Sequence, residues 1–309
     1  MSQKENIYIL GCGAIGLTLA ACLANTGRKV LAVRTSKNDA PVGDIIVIVH
    51  TGEAKLKTSV AMVSLSNLTT LDGVVVVTAK SYANKMIAAA LVERRFSGPI
   101  ILLQNGLGVE HPFIESGFAE MYRCVLYATA QTISENEVTF RPIASCPIGL
   151  VKGDAANLEE YVNLLSTPHF SFHAEANIQR DMWKKVIINS VFNSICPLLD
   201  TDNGVFVRDV AATKLAEEIV AECIVLAEAN GIILVKSELM TQILQISQGS
   251  QGVSISTLQD IKNGRATEIS SLNLELARIA ATMNLSAQLK RTELLGQLVL
   301  IKSGQPSEN

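Results

Sequence analysis

The sequence predicts an α/β N-terminal domain, in which helices flank a parallel sheet, followed by an all-α C-terminal domain. Three observations support this fold class. Apolar runs alternate with helical segments over the first 106 residues, a glycine-rich turn follows the first run, and the strand pattern disappears from about residue 177 onward. Alternating strands and helices are typical of a parallel sheet that is covered by helices through right-handed crossovers.

Four apolar runs are predicted as strands of this sheet: residues 6–11, 29–34, 72–80 and 98–106. The third run, DGVVVVTAK, is almost continuously β-branched, which is expected of a strand buried on both faces. Helices are predicted between the strands over 14–27 and 82–95, and shorter alternating strands follow between 124 and 172.

After residue 177 the apolar residues recur with the spacing of amphipathic helices. Five segments show this spacing: 178–199, 208–231, 237–246, 256–284 and 289–303. We therefore place the domain boundary near residue 174, which divides the chain into 1–174 and 175–309. The helix over 208–231 lies either in the core or in a dimer interface, so the sequence leaves a homodimer open as one oligomeric state.

The composition indicates a folded protein whose main partner is neither nucleic acid nor a membrane. Apolar residues make up 48% of the chain, and the formal net charge is only -3, without a long run of like charge. No apolar run reaches the roughly 18 residues of a membrane-spanning helix, and the N-terminus lacks the pattern of a signal peptide.

Cysteine and histidine usage predicts a cytoplasmic protein without a metal site. The six cysteines form no CxxC pair and lie mostly in apolar settings, as expected of reduced core thiols. The histidines show no metal-ligand spacing apart from His169 and His173, which follow a proline in a strand-like segment.

A glycine-rich turn joins the first strand to the first helix. Its sequence GCGAIG matches the pattern GxGxxG and comprises Gly11, Cys12, Gly13, Ala14, Ile15 and Gly16. In this context Gly11 permits the tight turn, Gly13 lets a pyrophosphate approach the backbone, and Gly16 allows close helix–strand packing. The helix N-terminus offers amide donors and partial positive charge to phosphates. We predict a dinucleotide site here; the alternative is an ordinary glycine turn.

The end of the second strand indicates which nucleotide binds. Enzymes that use NAD usually carry Asp or Glu there, which holds the ribose 2′-hydroxyl. This chain instead has the run Arg34, Thr35, Ser36 and Lys37, which suits a 2′-phosphate. We therefore predict NADPH as the cofactor rather than NADH. The alternative is that these side chains are solvated in a loop.

Lys80 and Asn105 stand at the carboxyl ends of predicted parallel strands, where ligands bind in open α/β sheets. Both positions have an alternative interpretation. Asn105 precedes Gly106, so a turn role competes with a binding role. Lys80 is alternatively the polar residue that ends a buried strand.

The segment WKKVIINSVFNSICPLL at 183–199 is mostly apolar, yet it places Lys185, Asn189 and Asn193 four residues apart. Residues four apart share one face of a helix, and Asn is a poor helix former, so this polar row needs a reason. One interpretation is a solvated stripe. The other is a row of hydrogen-bonding groups directed at a ligand, with Lys184 one position off the row.

Five stretches resemble, in order, the ketopantoate reductase (2-dehydropantoate 2-reductase) family: GCGAIG, the strand end at Lys80, QNGLG at 104–108, WKKVIINSVFN at 183–193 and STLQDIKNGRATE at 256–268. The resemblance covers residues 6 to about 275. It implies an N-terminal Rossmann domain, a C-terminal helical domain, and NADPH and substrate in the cleft between them. It also implies reduction of 2-dehydropantoate to (R)-pantoate, a step towards pantothenate and coenzyme A.

The resemblance also implies roles for individual residues. Lys185 and Glu268 match the catalytic residues: Lys185 the proton donor, and Glu268 a glutamate near the nicotinamide end of the cofactor. The positions that match substrate-binding residues are Asn105, Asn189, Asn193, Asn203 and Ser256. Besides the glycine-rich turn, the positions that match cofactor contacts are Arg34, Lys80, Asn105 and Glu268.

Three residues near the end of the resemblance have alternatives. Ser256 and Gln259 have the spacing of a capping box, so Ser256 is alternatively a helix N-cap. Glu268 is alternatively a solvated helix charge. Asp260, two helical turns before it, belongs either to the site or to the surface.

The expected chemistry agrees with the polar row. Hydride addition to a ketone develops negative charge on oxygen, which a positioned donor must neutralise. A lysine ammonium has three donors and is protonated at neutral pH. Asparagines one and two turns away hold the substrate without adding charge, so on this interpretation the row is the floor of a substrate cleft.

The chain departs from the family pattern at three positions. The family often has Asp two residues after the glutamate, Gly shortly beyond and Pro further on, where this chain has Ser270, Leu274 and Ala287. These positions lie where the family's substrate domain closes, so they bear on the identity of the ketoacid. The alternatives are a reductase of a different 2-ketoacid and a catalytically silent NADP(H)-binding sensor.

Overall fold

The structure, a computed structural model, describes residues 5–35 and 43–304. The chain forms two compact units. The first comprises Met1–Gln104 and Val109–Ile178, and the second comprises Asn105–Gly108 and Gln179–Asn309. The C-terminal part of the second unit begins at Gln179, whereas the sequence predicts a division after residue 174 and does not predict that Asn105–Gly108 belongs to that unit.

The first unit contains a sheet of eleven strands. The strands are β1 (Ile7–Leu10), β2 (Val30–Arg34), β3 (Gly43–Thr51), β4 (Ala54–Ser64), β5 (Val74–Val77), β6 (Ile100–Leu102), β7 (Met121–Cys124), β8 (Ala128–Ser134), β9 (Glu137–Pro142), β10 (Cys146–Lys152) and β11 (Phe172–Ala174). Their order across the sheet is β11-β10-β7-β6-β5-β1-β2-β4-β3-β9-β8.

The centre of this sheet is parallel. Every neighbouring pair from β7 through β6, β5, β1 and β2 to β4 runs parallel. Antiparallel pairs occur further out, between β3 and β4, between β8 and β9, and between β7 and β10. The predicted parallel sheet is therefore confirmed at its centre, and the outer pairs make the sheet as a whole mixed.

Helices cover both faces of the parallel centre. In the first unit they are α1 (Ala14–Asn25), α2 (Asn84–Glu93), α3 (His111–Glu115) and α4 (Leu158–Leu165). Ile7 and Ile9 of β1 belong to a core cluster with α1 and α4, whereas Tyr8 and Leu10 belong to a second cluster with α2 and α3. The four valines of β5 divide between the two clusters in the same alternating way, which explains their continuous apolar run.

The hairpin of β3 and β4 was not predicted. Its strands have nine and eleven residues, and its turn contains Gly52 at a φ of +58°. Val47 and Val49 are buried while their neighbours are more exposed, which is the period of a half-buried strand. Both features are hairpin signals in the sequence.

The second unit is helical, and no strand occurs among its described residues. Its helices are α5 (Ile178–Leu198), α6 (Val205–Arg208), α7 (Val210–Ala229), α8 (Lys236–Gly249), α9 (Ser256–Lys262), α10 (Asn273–Thr282) and α11 (Lys290–Lys302). The predicted all-α character is therefore confirmed. Over the described ranges, no helix combines the length and apolar character needed to cross a bilayer.

The predicted continuous helical segment over 256–284 is wrong. Helix α9 ends where Gly264 adopts a φ of +62°, and the amide of Arg265 donates to the carbonyl of Asp260 at 2.8 Å. This is the glycine-terminated C-cap that closes many helices. A single 3-10 turn at Ile269–Ser271 precedes α10. Glu268 therefore lies outside a regular helix and does not share a helical face with Asp260, contrary to expectation.

Candidate active site

In the first unit, the glycine-rich turn has two glycines that packing requires. Gly11 has a φ of +118°, and a Cβ atom there would lie 2.3 Å from the amide nitrogen of Ala79. A Cβ atom on Gly16 would lie 1.9 Å from the carbonyl oxygen of Gly11. These two residues allow β1, β5 and α1 to approach each other at the turn.

Gly13 differs because packing does not require it. No atom lies within 4 Å of the position that its Cβ would occupy, and the residue is exposed. Gly13 is also the N-cap of α1, where no side chain caps the helix and no acidic residue stands in the first turn. The open backbone and the uncapped amides fit the pyrophosphate of a dinucleotide.

Cys12, within this turn, is a half-buried free thiol. Burial raises the pKa of Cys12 to about 12, with Arg34 acting in the opposite direction. The thiol is therefore protonated near neutral pH and adds no negative charge beside the turn. In the described part of the chain, no group of three or more His, Cys, Asp or Glu side chains is placed to hold a metal ion.

Arg34 ends β2 and has an acidic partner that sequence reasoning missed. Its Nη2 lies 2.7 Å from Oε1 of Glu135, and its Nε donates to the sulfur of Met62 at 3.0 Å. Thr35 is half-buried, whereas Ser36 and Lys37 lie outside the described residues. No local sequence signal could have identified Glu135, because it follows Arg34 by 101 residues.

Lys80 follows β5 and is half-buried at the start of a 3-10 turn. The backbone beside it is fixed by Gln104, whose amide donates to the carbonyl of Ala79 at 2.5 Å. Gln104 and Asn84 also exchange two hydrogen bonds, at 2.7 and 2.9 Å, through their side-chain amides. This buried amide pair therefore supports the carboxyl edge of the sheet, and it was not predicted.

In the second unit, the segment Asn105–Gly108 contacts the turn that precedes α10. The amide of Leu107 donates to the carbonyl of Ser271 at 3.0 Å. Gly106 has a φ of +99°, and a Cβ atom there would lie 2.4 Å from the same carbonyl oxygen. The glycine of the QNGLG stretch is therefore required by this close approach, and it leaves Asn105 half-buried beside it.

Helix α5 carries the polar row. Lys185 and Asn189 are half-buried and Asn193 is only 3% exposed. A solvated stripe would consist of exposed side chains, so the burial of this row argues against that alternative. The adjacent Lys184 is also half-buried, but it lies one residue off the row.

Asn193 connects α5 to the start of α9. Its Oδ1 accepts a hydrogen bond from Oγ1 of Thr257 at 2.7 Å and a longer one from Oγ of Ser256 at 3.4 Å. Its Nδ2 donates to the carbonyl of Asn189 at 3.0 Å. Asn193 thus fixes the position of α9 against the polar row, and the buried Thr257 is a site residue that the sequence did not indicate.

The capping-box alternative for Ser256 is wrong. The N-cap of α9 is Ile255, and no side chain caps that helix. The side chain of Gln259 donates to the carbonyl of Ser254 at 2.8 Å and does not accept a hydrogen bond from an N-cap amide. Ser256 instead directs its hydroxyl at Asn193 of the polar row.

Asn203 lies in the connection between α5 and α6. It is 7% exposed, and its Oδ1 is a buried acceptor without a hydrogen-bond partner in the described structure. Its backbone amide donates to Val253 at 3.0 Å, and the neighbouring Asp202 accepts from Arg208 and from the amide of Gly252. These bonds hold the backbone around Asn203 in place, while its side-chain oxygen remains a buried acceptor without a partner in the described structure.

Glu268 and the departures from the family pattern surround α10. Glu268 is half-buried, and its carbonyl accepts from the Ser271 hydroxyl at 3.0 Å. Ser270 is half-buried and Ala287 is exposed. Leu274 lies over Gly296 of α11, where an added Cβ would be 2.9 Å from Cδ2 of that leucine. Asp260 is buried and paired with Arg265 at 3.0 Å, so its carboxylate has a local cation.

Comparison with known proteins gives a consistent result. Two family models match, Ketopantoate reductase PanE/ApbA over residues 7–153 and Ketopantoate reductase PanE/ApbA C terminal over residues 177–302. The 2-dehydropantoate 2-reductase of Pyrococcus horikoshii is 27% identical over 288 residues, which are 92% of this chain and 93% of the relative.

Solved structures support the fold. D-mandelate dehydrogenase with NADH and anilino(oxo)acetate superposes with a TM-score of 0.83 at 20% identity, covering 97% of this chain and 98% of its own. A dimeric ketopantoate reductase from Staphylococcus aureus has a TM-score of 0.78 at 19% identity, covering 97% and 100%. With family models matching both its N-terminal and its C-terminal parts, this chain belongs to the ketopantoate reductase family.

Proposed function

We propose that this protein reduces 2-dehydropantoate to (R)-pantoate with NADPH as the hydride source. The observation that carries the proposal is the half-buried polar row of α5 in a chain that belongs to the ketopantoate reductase family. The family's curated relatives bear the name of this reaction. Because the Staphylococcus aureus reductase is dimeric, a homodimer is the oligomeric state that we propose.

The roles in the reaction follow from the chemistry of the side chains. When bound, the nicotinamide nucleotide supplies a hydride to the ketone carbon. The ammonium of Lys185 donates a proton to the ketone oxygen as negative charge develops there, and water later restores that proton. Asn189 and the buried Oδ1 of Asn203 orient the substrate by hydrogen bonds. Asn193 acts mainly by positioning, because its side chain bonds within the protein.

Most of the residues that we assign to the nucleotide belong to the first unit. The backbone at Gly13 and the N-terminus of α1 receive the pyrophosphate, and Arg34 receives the 2′-phosphate. Lys80 and Asn105 complete the proposed cofactor contacts. Glu268 is proposed to lie near the nicotinamide and to contact the substrate through its half-buried carboxylate.

A reductase of a different 2-ketoacid is the second candidate. The observation that favours it is Ser270, which replaces an acidic residue expected beside Glu268 and removes a negative charge there. Leu274 does not favour it to the same degree, since its side chain packs on Gly296. A silent NADP(H)-binding sensor would have no use for a half-buried row of one lysine and two asparagines.

The test is NADPH oxidation in the presence of 2-dehydropantoate or of other 2-ketoacids, followed by nicotinamide absorbance. Lys185→Ala should lower kcat by about a hundred- to ten-thousand-fold, because it removes the proton donor. Lys184→Ala is the matched control, since it removes a neighbouring half-buried lysine off the row, and it should retain most activity. Equal activity of the two variants would contradict the role of Lys185. Turnover only with another ketoacid would support the second candidate, and NADPH binding without turnover would support the sensor.

A further inference from the structure

We propose that Glu135 sets the nucleotide preference of this protein, because its carboxylate competes with the 2′-phosphate of NADPH for the guanidinium of Arg34. The inference rests on the proposed function, since it assumes that the glycine-rich turn binds a nicotinamide nucleotide. All the residues that it uses belong to the first unit.

Arg34 is fixed at the nucleotide edge of the sheet. It is the last residue of β2, and the carbonyl of Val33 directly before it accepts a hydrogen bond from the amide of Gly11 at 2.9 Å. Its side chain is 21% exposed and is steadied by the bond to Met62. The guanidinium is close enough to the glycine-rich turn for its charge to act on the thiol of Cys12, and the bond to Met62 restrains it.

Glu135 approaches this guanidinium from a different part of the chain. It lies in the turn between β8 and β9, where the carbonyl of Asn136 accepts from the amide of Ile48 at 2.9 Å and anchors the turn to β3. Its side chain is 71% exposed, although Oε1 is 2.7 Å from Nη2 of Arg34. The backbone of Glu135 is held, but its carboxylate is free to leave into solvent.

The ion pair of Arg34 and Glu135 is weak enough to reduce NADPH binding without preventing it. An exposed ion pair is weak and is screened by salt. A 2′-phosphate carries close to two negative charges and accepts paired hydrogen bonds from a guanidinium, so NADPH displaces Glu135 at a modest cost. NADH carries a 2′-hydroxyl in place of the phosphate. Its uncharged hydroxyl does not compete with Glu135 for Arg34, so the ion pair stays intact when NADH binds. Glu135 thus lowers the affinity for NADPH while leaving that for NADH nearly unchanged.

The experiment is a direct titration of each nucleotide, followed by nicotinamide fluorescence, against four proteins: wild type, Glu135→Gln, Arg34→Ala and the double variant. Glu135→Gln should tighten the Kd for NADPH about three- to tenfold and change the Kd for NADH less than about twofold. The same change in the Arg34→Ala background should have no effect on NADPH, because the competition needs the guanidinium.

Glu53→Gln is the matched control. Glu53 is an exposed carboxylate in the β3–β4 turn of the same sheet, and it forms no ion pair within the described ranges. If Glu53→Gln tightens NADPH binding as much as Glu135→Gln does, the effect is one of net charge and the inference is overturned. It is also overturned if Glu135→Gln shifts both nucleotides equally or acts without Arg34.

The two proposals fail in different ways. Wild-type protein that binds neither nucleotide would overturn the proposed function and this inference with it. Wild-type protein that binds NADPH and oxidises it with a ketoacid, but whose NADPH to NADH ratio is unchanged in Glu135→Gln, would overturn the inference alone.

Discussion

The glycine-rich turn of the first unit and the junction of α5 and α9 in the second unit are both candidate binding regions, but they are built differently. The turn depends on side chains that are absent, at Gly11 and Gly16, over six consecutive residues. The junction depends on side chains that are present, with Asn193 bonded to residues 63 and 64 positions away. One added side chain in the glycine-rich turn should therefore disrupt the whole turn by steric clash. One side chain removed at the α5–α9 junction should instead cost only the hydrogen bonds that it makes.

The largest expected effect is that of Gly16→Ala. The new methyl group would lie 1.9 Å from a backbone oxygen that cannot move without disturbing β1. We expect a loss of about 3 kcal/mol in the free energy of unfolding, measured by urea denaturation, together with loss of NADPH binding. Gly13→Ala is the control, because it meets open space. It should change stability by less than about 0.5 kcal/mol while still weakening NADPH binding. Equal stability of the two variants would contradict the steric account.

An intermediate effect is expected at the junction. Asn193→Ala leaves the buried Thr257 hydroxyl without its partner and removes the side-chain bond to the carbonyl of Asn189, which should cost about 1–3 kcal/mol and lower kcat/KM. Thr257→Val removes only one of these bonds at nearly constant volume and should cost about 1 kcal/mol. If urea denaturation showed a larger loss of unfolding free energy for Thr257→Val than for Asn193→Ala, the central role of Asn193 at this junction would be contradicted.

The smallest effect concerns pH. The ion pair with Arg208 lowers the pKa of Asp202 below its usual value of 3.8. A carboxyl with a lowered folded-state pKa adds stability above its usual pKa, and that stability is lost as the pH falls through the folded-state pKa. Asp202→Asn should therefore lower Tm by about 1–2 °C at neutral pH, and the difference should shrink below about pH 4. Asp44→Asn, at an exposed position, is the control. A difference that grew on acidification would contradict the assignment.

The same contrast explains how much of the fold could be predicted. The runs that became β1 and β5 were recognisable because both faces of each strand are buried, and the positions of Gly11 and Gly16 follow from a local turn. The end of α9 was missed although its signal, Asn263 followed by Gly264, is also local. Apolar residues keep helical spacing on both sides of that glycine, so periodicity alone predicts one continuous helix there.

The candidate site was less predictable where contacts are long-range. Glu135, Thr257 and the pair of Asn84 and Gln104 carry no motif of their own. Each becomes a site residue only because the fold brings it to a partner that lies 20 to 101 positions away. Periodicity and spacing within one segment contain no information on such pairs. The family resemblance implies roles for Lys185 and Ser256, but it does not indicate which neighbours hold them.

Leu274 and Gly296 are complementary in size and pack against each other. The leucine side chain occupies the space over the helical glycine, so a large residue on α10 is matched by a small one on α11. Leu274 is half-buried, so a glycine at 274 alone would leave part of this space unfilled and would lower the free energy of unfolding. Residues at these two positions should therefore covary among homologues, and a chimaera of this chain with a relative should exchange both together.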